Sequence, residues 1–492
     1  MPNPTEKEIE ITGQKSSMRV PPLLAGAARV EISPPPGIPH AGWGAQAHQV
    51  AAGIDMPLYS TALVLRQGQV AAAIIDLDLI GFNDEQIKLM VAEIASRSRL
   101  SPGCIRICST HTHSGPNYFR SELATEGLDK LHCYMADLPG RLADAVELAM
   151  RSLRPVRALF GEGYSPISVN RRARTAEGRI VVGRNEHGPV DHTVRVVRLV
   201  TAAQDTVATL LHYSCHPTLV GWQNDLITPD YPGPARVEVE KAVGGLCLFL
   251  QGAAGDVGPI QAPSGNLAIY HTLGRSLGLE AASVAVRLTI AEPSRSILNV
   301  VESGAPLAVY AENTAENSQR LAVCEASIDL PLKDFGDPRE LSQKAFELKQ
   351  ELVAEREKRQ DSERVRVLNA LATQATIRAE LARRHAGSKT LQWQIQAISI
   401  GPGVLVGVPG EPFVEIGQEI SAASPFRHTL FSGYTNGGFG YLPTASAFEE
   451  GGYEVETSPF APESARILVR QTLRLLRQMA GSRDGVETRK IG

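Results

Sequence analysis

The sequence predicts an α/β protein in which mixed β-sheets are flanked by helices in one large domain, with an inserted helical hairpin. Three observations predict it. Apolar runs of strand length recur along the chain and end in polar, glycine-rich turns. Some alternate with stretches of helical period, first as a run over 69–79, a helical stretch over 83–97 and a second run over 105–108. One segment, 331–386, departs in composition: it is rich in Glu, Lys, Arg, Gln and Ala, with Leu and Val at helical spacing.

In order, the chain opens on a polar stretch over 1–24, expected to be a disordered tail. A strand over 26–32 stops at Ser33-Pro-Pro-Pro-Gly37. The loop after it carries His40 and His48, two candidate ligands. Strands over 58–66 and 69–79 meet at Gly68, and the second ends in Asp76 and Asp78, read as strand-end acids that orient other groups. Asn83 caps the helix over 83–97. The run over 105–108 then delivers His111 and His113 into a Ser/Thr/Gly/Pro loop, the place where βαβ units put function.

A helix over 138–153 and a strand over 156–162 precede a polar turn over 169–172. Strands over 193–201 and 206–212 follow, the latter leading to Ser214-Cys-His216-Pro-Thr218. A strand over 245–250 ends in Gln251-Gly-Ala-Ala-Gly255-Asp256-Val-Gly258-Pro259, which lacks both the G-K-[ST] of a P-loop and the G-x-G-x-x-G spacing. A long helix covers 267–288, with His271 structural. The 331–386 segment reads as two antiparallel helices, 339–359 and 362–386, with solvated charged faces, a cover over the site or an oligomer contact as its roles. Strand pattern over 390–405 leads to Glu411 at a strand-to-helix turn, then a helix over 412–422 and a strand over 430–434. A glycine- and aromatic-rich loop with Tyr441 and Tyr453 precedes a last helix over 464–479. No low-complexity linker or short-period repeat divides the chain, so one domain over 25–480 is expected, with a disordered tail over 481–492.

Bulk properties narrow the function classes. A net charge of −4 removes the electrostatic case for nucleic acid or an anionic membrane surface. No apolar run reaches the roughly 20 residues that cross a bilayer. The six cysteines form no C-x-x-C pair and mostly sit in apolar runs, as buried thiols do. With no apolar leader at the N-terminus, a reduced, cytoplasmic protein is expected.

Four strand ends thus present His111/His113, His216, Glu411 and Tyr441/Tyr453. Two imidazoles and a carboxylate are a common ligand set for catalytic zinc. H-x-H spacing is also common without a metal, and no H-E-x-x-H is present, so hydrogen-bonded turn residues are the competing reading.

His111-Thr-His113-Ser-Gly-Pro116, Cys215-His216-Pro-Thr218, Gly255-Asp256-Val257, Val408-Pro-Gly-Glu411 and Asn436…Tyr441 resemble, in order and spacing, the motifs of the neutral ceramidase family. The resemblance spans the catalytic domain. It implies one zinc ion per chain, held by His111, His216, Glu411 and Tyr441. It implies that His113 bonds substrate or carries protons, that Tyr453 donates to the oxyanion, and that Arg171 meets the substrate. Two departures stand out: Gly258 replaces the family's serine, and Gly438 replaces the first tyrosine of the N-x-Y-x-x-Y motif. The chain also ends without the family's C-terminal immunoglobulin-like domain, as expected of a short cytoplasmic relative.

The expected activity is that of a zinc-dependent amidohydrolase: metal-activated water cleaves a linear N-acyl amide, not necessarily ceramide. His113 or Asp256 passes a proton to the leaving amine, and Arg171 holds a substrate carboxylate or hydroxyl or serves as a structural ion pair. A metal-dependent esterase, carbamate hydrolase or lactonase is the alternative, and a non-catalytic binding homologue a further one. The expected partner is a small-molecule or lipid-like acyl substrate, and the chain is a candidate homo-oligomer.

Overall fold

A computed structural model describes residues 20–40, 42–46, 48–118, 124–290, 295–312, 319–358, 363–438 and 440–481. Three mixed sheets stand back to back. The first runs, in spatial order, Ile105–Ser109, Val70–Leu77, Tyr59–Gln67, Leu24–Glu31 and Arg154–Pro155. The second runs Leu246–Gln251, Thr206–Tyr213, Thr193–Val200 and Arg157–Tyr164, and the third Leu321–Pro331, Thr390–Ile400, Gly403–Gly407 and His428–Ser432. Leu63, Ile74, Val197, Leu210, Leu248, Ile398 and Leu405 from all three sheets form one shared core.

Each sheet also has an outer helical layer. Asp84–Ser98 and Leu128–Arg151 cover the first, Pro232–Val243 and Leu267–Ile290 the second, and Val414–Ala423 and Ser464–Gly481 the third. The central strands are therefore buried on both faces. That is why Val70–Leu77 reads as a continuous apolar run rather than an alternating one. Asn83 caps its helix as expected, accepting from the Gln86 N–H while Gln86 returns the bond to the Asn83 N–H.

Each sheet contains one parallel pair: Val70–Leu77 with Ile105–Ser109, Thr206–Tyr213 with Leu246–Gln251, and Gly403–Gly407 with His428–Ser432. Bridges between Cys108 and Thr435, and between Gly252 and Ser432, tie their C-terminal ends together. All four strand ends singled out in the sequence thereby meet at one place. Asp76 and Asp78 lie beneath it, both in ion pairs with the buried Arg236 at 2.7 and 2.6 Å.

Several expectations are corrected. The polar turn over 169–172 is strand Ser168–Arg174, whose buried Arg171 and Arg172 pair with Glu454 of the short helix Tyr453–Thr457, so polarity there does not signal a turn. The pattern over 390–405 is two antiparallel strands divided at Gly401-Pro402, where Gly401 has a φ of 51°. The helix expected over 138–153 begins at Leu128 and contains Pro139.

Strand Leu321–Pro331 was not foreseen. It pairs along its whole length with Thr390–Ile400, so the hairpin of Pro338–Lys358 and Glu363–Arg384 is inserted between two paired strands. A separate β-ribbon, Arg295–Glu302 with Pro306–Glu312, was not foreseen either. Leu24 already belongs to a strand, while 1–19 and 482–492, most of the expected tails, lie outside the described residues. Among the described residues, no helix is long and apolar enough to cross a membrane.

Candidate metal centre

His111 sits two residues past Ile105–Ser109 in a left-handed conformation, φ 71°, which is unfavourable for a residue with a Cβ. Its N–H donates to the Leu79 carbonyl at 3.0 Å, which fixes the turn. His216 follows Thr206–Tyr213, and its N–H donates to Val257 at 3.0 Å. Glu411 opens the two-residue strand Glu411–Pro412, which pairs in parallel with Tyr441–Leu442 and sets Glu411 directly opposite Tyr441. Gly410, φ 72°, lets that strand pass Trp393: a Cβ there would lie 2.7 Å from the indole and from the Gly440 carbonyl.

The ring nitrogens of His111, His113 and His216 lie within 4.8 Å of one another. Glu411 Oε2 is 3.1 Å from His216 Nε2 and 3.6 Å from His111 Nε2. Each of those two imidazoles is oriented from behind. His111 Nδ1 donates to the Ile80 carbonyl, and His216 Nδ1 donates to the Ala254 carbonyl at 2.6 Å. A ring whose Nδ1 carries the proton presents a lone pair at Nε2.

Two lone pairs therefore face a carboxylate. The buried His216 Nε2 and Glu411 Oε2 both lack a hydrogen-bond partner. Protonated histidines would resolve the conflict, but burial opposes them: it pushes the His111 pKa down to about 4, against the pull of Glu411, and holds His216 well below the usual range. Neutral imidazoles facing a carboxylate fit a divalent cation, with the two carbonyls as the outer partners that orient such ligands.

The remaining expected residues surround this group. The Tyr441 ring stacks near His216 at 6.3 Å, and the Arg171 guanidinium lies over it at 5.3 Å. Burial, then Glu411, raises the Tyr441 phenol well above its usual range. Tyr453 begins the short helix Tyr453–Thr457 and lies 5.7 Å from Tyr441, ring to ring. Arg171 Nε donates to Glu454 at 2.8 Å, while its buried Nη2 has no hydrogen-bond partner.

Asp256 has hydrogen-bond partners of its own. One carboxylate oxygen accepts from the Val414 N–H at 2.8 Å and the other from Asn170 Nδ2 at 3.0 Å. Its carbonyl accepts from the Arg171 N–H at 2.8 Å. With both oxygens engaged, Asp256 ties the Arg171 strand to the helix after Glu411. Burial pushes its carboxyl up to about 7. His40 and His48 pair with each other at 2.9 Å rather than joining the cluster. At Gly258 a Cβ would meet Arg171 at 3.6 and 3.8 Å, ordinary contacts, so the backbone does not demand glycine.

Three neighbours were not foreseen. The Tyr434 ring lies 4.4 Å from His111, and its hydroxyl is 3.4 Å from His216 Nδ1. Glu454 joins Arg171 to Arg172, which it accepts from at 3.0 Å. Trp43 lies 5.4 Å from His113 and 6.0 Å from Trp222, ring to ring. The position of Tyr434 just before Asn436 and of Glu454 beside Tyr453 was the available signal.

The helical hairpin docks at this side. Asn369 Nδ2 donates to the Gly44 carbonyl at 2.9 Å, and Arg378 pairs with Glu456 at 2.5 Å on the helix that begins at Tyr453. A cavity of about 390 Å³ lies elsewhere, lined by Asn170, Arg172, Asp256, Phe413 and Glu450 and by none of the three histidines.

Residues 25–260 match the family described as neutral/alkaline non-lysosomal ceramidase, N-terminal. No curated protein sequence matches the chain. Among solved structures, a neutral ceramidase from Pseudomonas aeruginosa is similar, with 18% identity and a TM-score of 0.68 over 96% of this chain and 76% of that one. A ceramidase complexed with C2 is also similar, with 19% identity and a TM-score of 0.63 over 96% and 77%. At these identities the structures establish the shared fold.

Proposed function

We propose, for a chain whose residues 25–260 match the neutral/alkaline non-lysosomal ceramidase family, that it is a zinc-dependent hydrolase of linear N-acyl amides. The observation that carries this reading is the facing of His216 Nε2 and Glu411 Oε2, buried and without hydrogen-bond partners. His111, His216, Glu411 and Tyr441 would hold the ion. When bound, zinc supplies a nucleophile from water near neutral pH and polarises the carbonyl.

The chain's own residues do the rest. Tyr453 donates to the oxygen on which charge develops, a contact that strengthens in the transition state. His113, in the same cluster, protonates the departing amine. Arg171, held by Glu454, directs its unpartnered Nη2 at a polar group of the substrate. Asp256 keeps the Arg171 strand and the Val414–Ala423 helix in register.

Gly258 favours a substrate other than ceramide. Without the family's serine, no hydroxyl is offered beside Arg171. The same change keeps esters, carbamates and lactones as competing substrates. A panel of N-acyl amides, including ceramide, matched esters, carbamates and lactones tests this reading. Preference for an amide other than ceramide is expected. Exclusive turnover of an ester, carbamate or lactone would replace the amide assignment, and no turnover by zinc-loaded protein would favour a binding homologue.

A further inference from the structure

The β-ribbon Arg295–Glu302/Pro306–Glu312 has no counterpart in the site chemistry. Among the described residues it pairs with no other strand, and every residue from 296 to 310 is exposed. Ile297, Leu298, Val300, Val301, Leu307, Val309 and Tyr310 are all among the exposed large apolar residues. In register, Ile297 stands opposite Tyr310 and Val300 opposite Ala308, while Val301 stands opposite Leu307 on the alternate face. Both faces are thus apolar. A lone two-stranded ribbon is at best marginally stable in water, and exposed apolar ribbons mark interaction sites.

The two edges differ. The Arg295–Glu302 strand carries a bulge between Ile297 and Asn299, a feature that blunts an edge. The Pro306–Glu312 strand is regular and reads Leu-Ala-Val-Tyr over 307–310, uncharged and prone to extended structure. Within 296–310 the one charged residue is Glu302, near the turn. Two copies therefore meet without charge repulsion along the strand, whereas an acid near the tip opposes insertion into an anionic membrane.

We infer that the ribbon is the self-association surface of this protein: the Pro306–Glu312 edge of one chain pairs antiparallel with the same edge of a second copy, and the apolar side chains of the two strands pack side by side across the join. A symmetric contact of this kind closes as a dimer. Eight residues at ~3.3 Å and two strands ~4.8 Å apart make a ribbon about 26 Å long and roughly 10 Å wide. Edge pairing of two such ribbons makes one four-stranded sheet, in which the outward N–H and C=O groups of the Pro306–Glu312 edge find partners.

Analytical ultracentrifugation of the full-length protein at micromolar concentration tests the inference, with the variant Leu307→Lys/Val309→Lys beside it. The wild type is expected at twice the chain mass and the variant at the chain mass, with an unchanged circular dichroism spectrum. A monomeric wild type, or a folded variant that stays dimeric, would overturn the inference. Hydrogen exchange on the wild type alone decides it if the variant misfolds: amides over 307–312 should be protected and lose protection on dilution. Concentration-independent exchange would contradict self-association. Binding of a monomeric wild type to phosphatidylcholine vesicles through the ribbon would assign the surface to lipid instead.

Discussion

Glu411 Oε2 lies 3.1 Å from His216 Nε2, and neither atom has a hydrogen-bond partner. Acceptor faces acceptor in a buried place, an arrangement that costs free energy without a cation. Glu411→Gln removes the conflict, because an amide N–H can donate to the imidazole. The variant should fold with a thermal midpoint no lower than that of the metal-free wild type. Its zinc affinity should fall by more than the ~10–100-fold typical of losing an outer partner. Equilibrium dialysis against zinc measures this, and unchanged affinity would remove Glu411 from the ligand set.

Tyr453→Phe separates transition-state stabilisation from metal binding. The ring and its packing against Tyr441 remain, and only the hydroxyl is lost. Zinc content and KM should hold while kcat falls by roughly 10²–10³, as on removing an oxyanion donor. An unchanged kcat would exclude the role given to Tyr453.

Arg236 neutralises Asp76 and Asp78 inside the fold, beneath the candidate metal centre. Arg236→Met leaves two buried carboxylates without their cation and should cost about 3–5 kcal/mol in urea unfolding. Adding Asp76→Asn and Asp78→Asn should recover part of that loss. A cost below 1 kcal/mol for the single variant, against the roughly 3 kcal/mol minimum expected, would show that the triad is not the anchor described.

Asp230 gives a pH signature. Its buried carboxylate accepts from the N–H groups of Val220 and Tyr231, yet burial prevails and raises its pKa from 3.8 to about 6. The folded chain then holds this proton more tightly than the unfolded chain does. The stabilisation from Asp230 is full below about pH 4 and is lost as pH rises toward about 6. Asp230→Asn removes this slope, so its stability deficit relative to wild type should shrink between pH 4.5 and 7. A deficit that grows over that interval would reverse the sign.

Much of the site was legible because its residues sit where local rules put them. His111, His216, Glu411 and Tyr441 all follow apolar strands, and the βαβ unit from Val70 to Ser109 is a local pattern. Long-range compensation was not legible. Arg171 and Arg172 read as a turn because the acid that buries them, Glu454, lies 283 and 282 residues away along the chain. The partners of Asp256, Asn170 and the Val414 N–H, likewise come from distant elements. Strand Leu321–Pro331 alternates weakly, since it is covered mainly by Thr390–Ile400 and the C-terminal helix. The exposed ribbon breaks the rule that apolar alternation implies a nearby core.

The central claim is a metal-dependent hydrolase, and metal content measured against turnover tests it most directly. Purified protein should carry about one zinc per chain, as a single-ion site requires. Hydrolysis of an N-acyl amide should disappear when a chelator removes the ion and return when zinc is added back. Full turnover by protein from which the metal has been stripped would contradict the account.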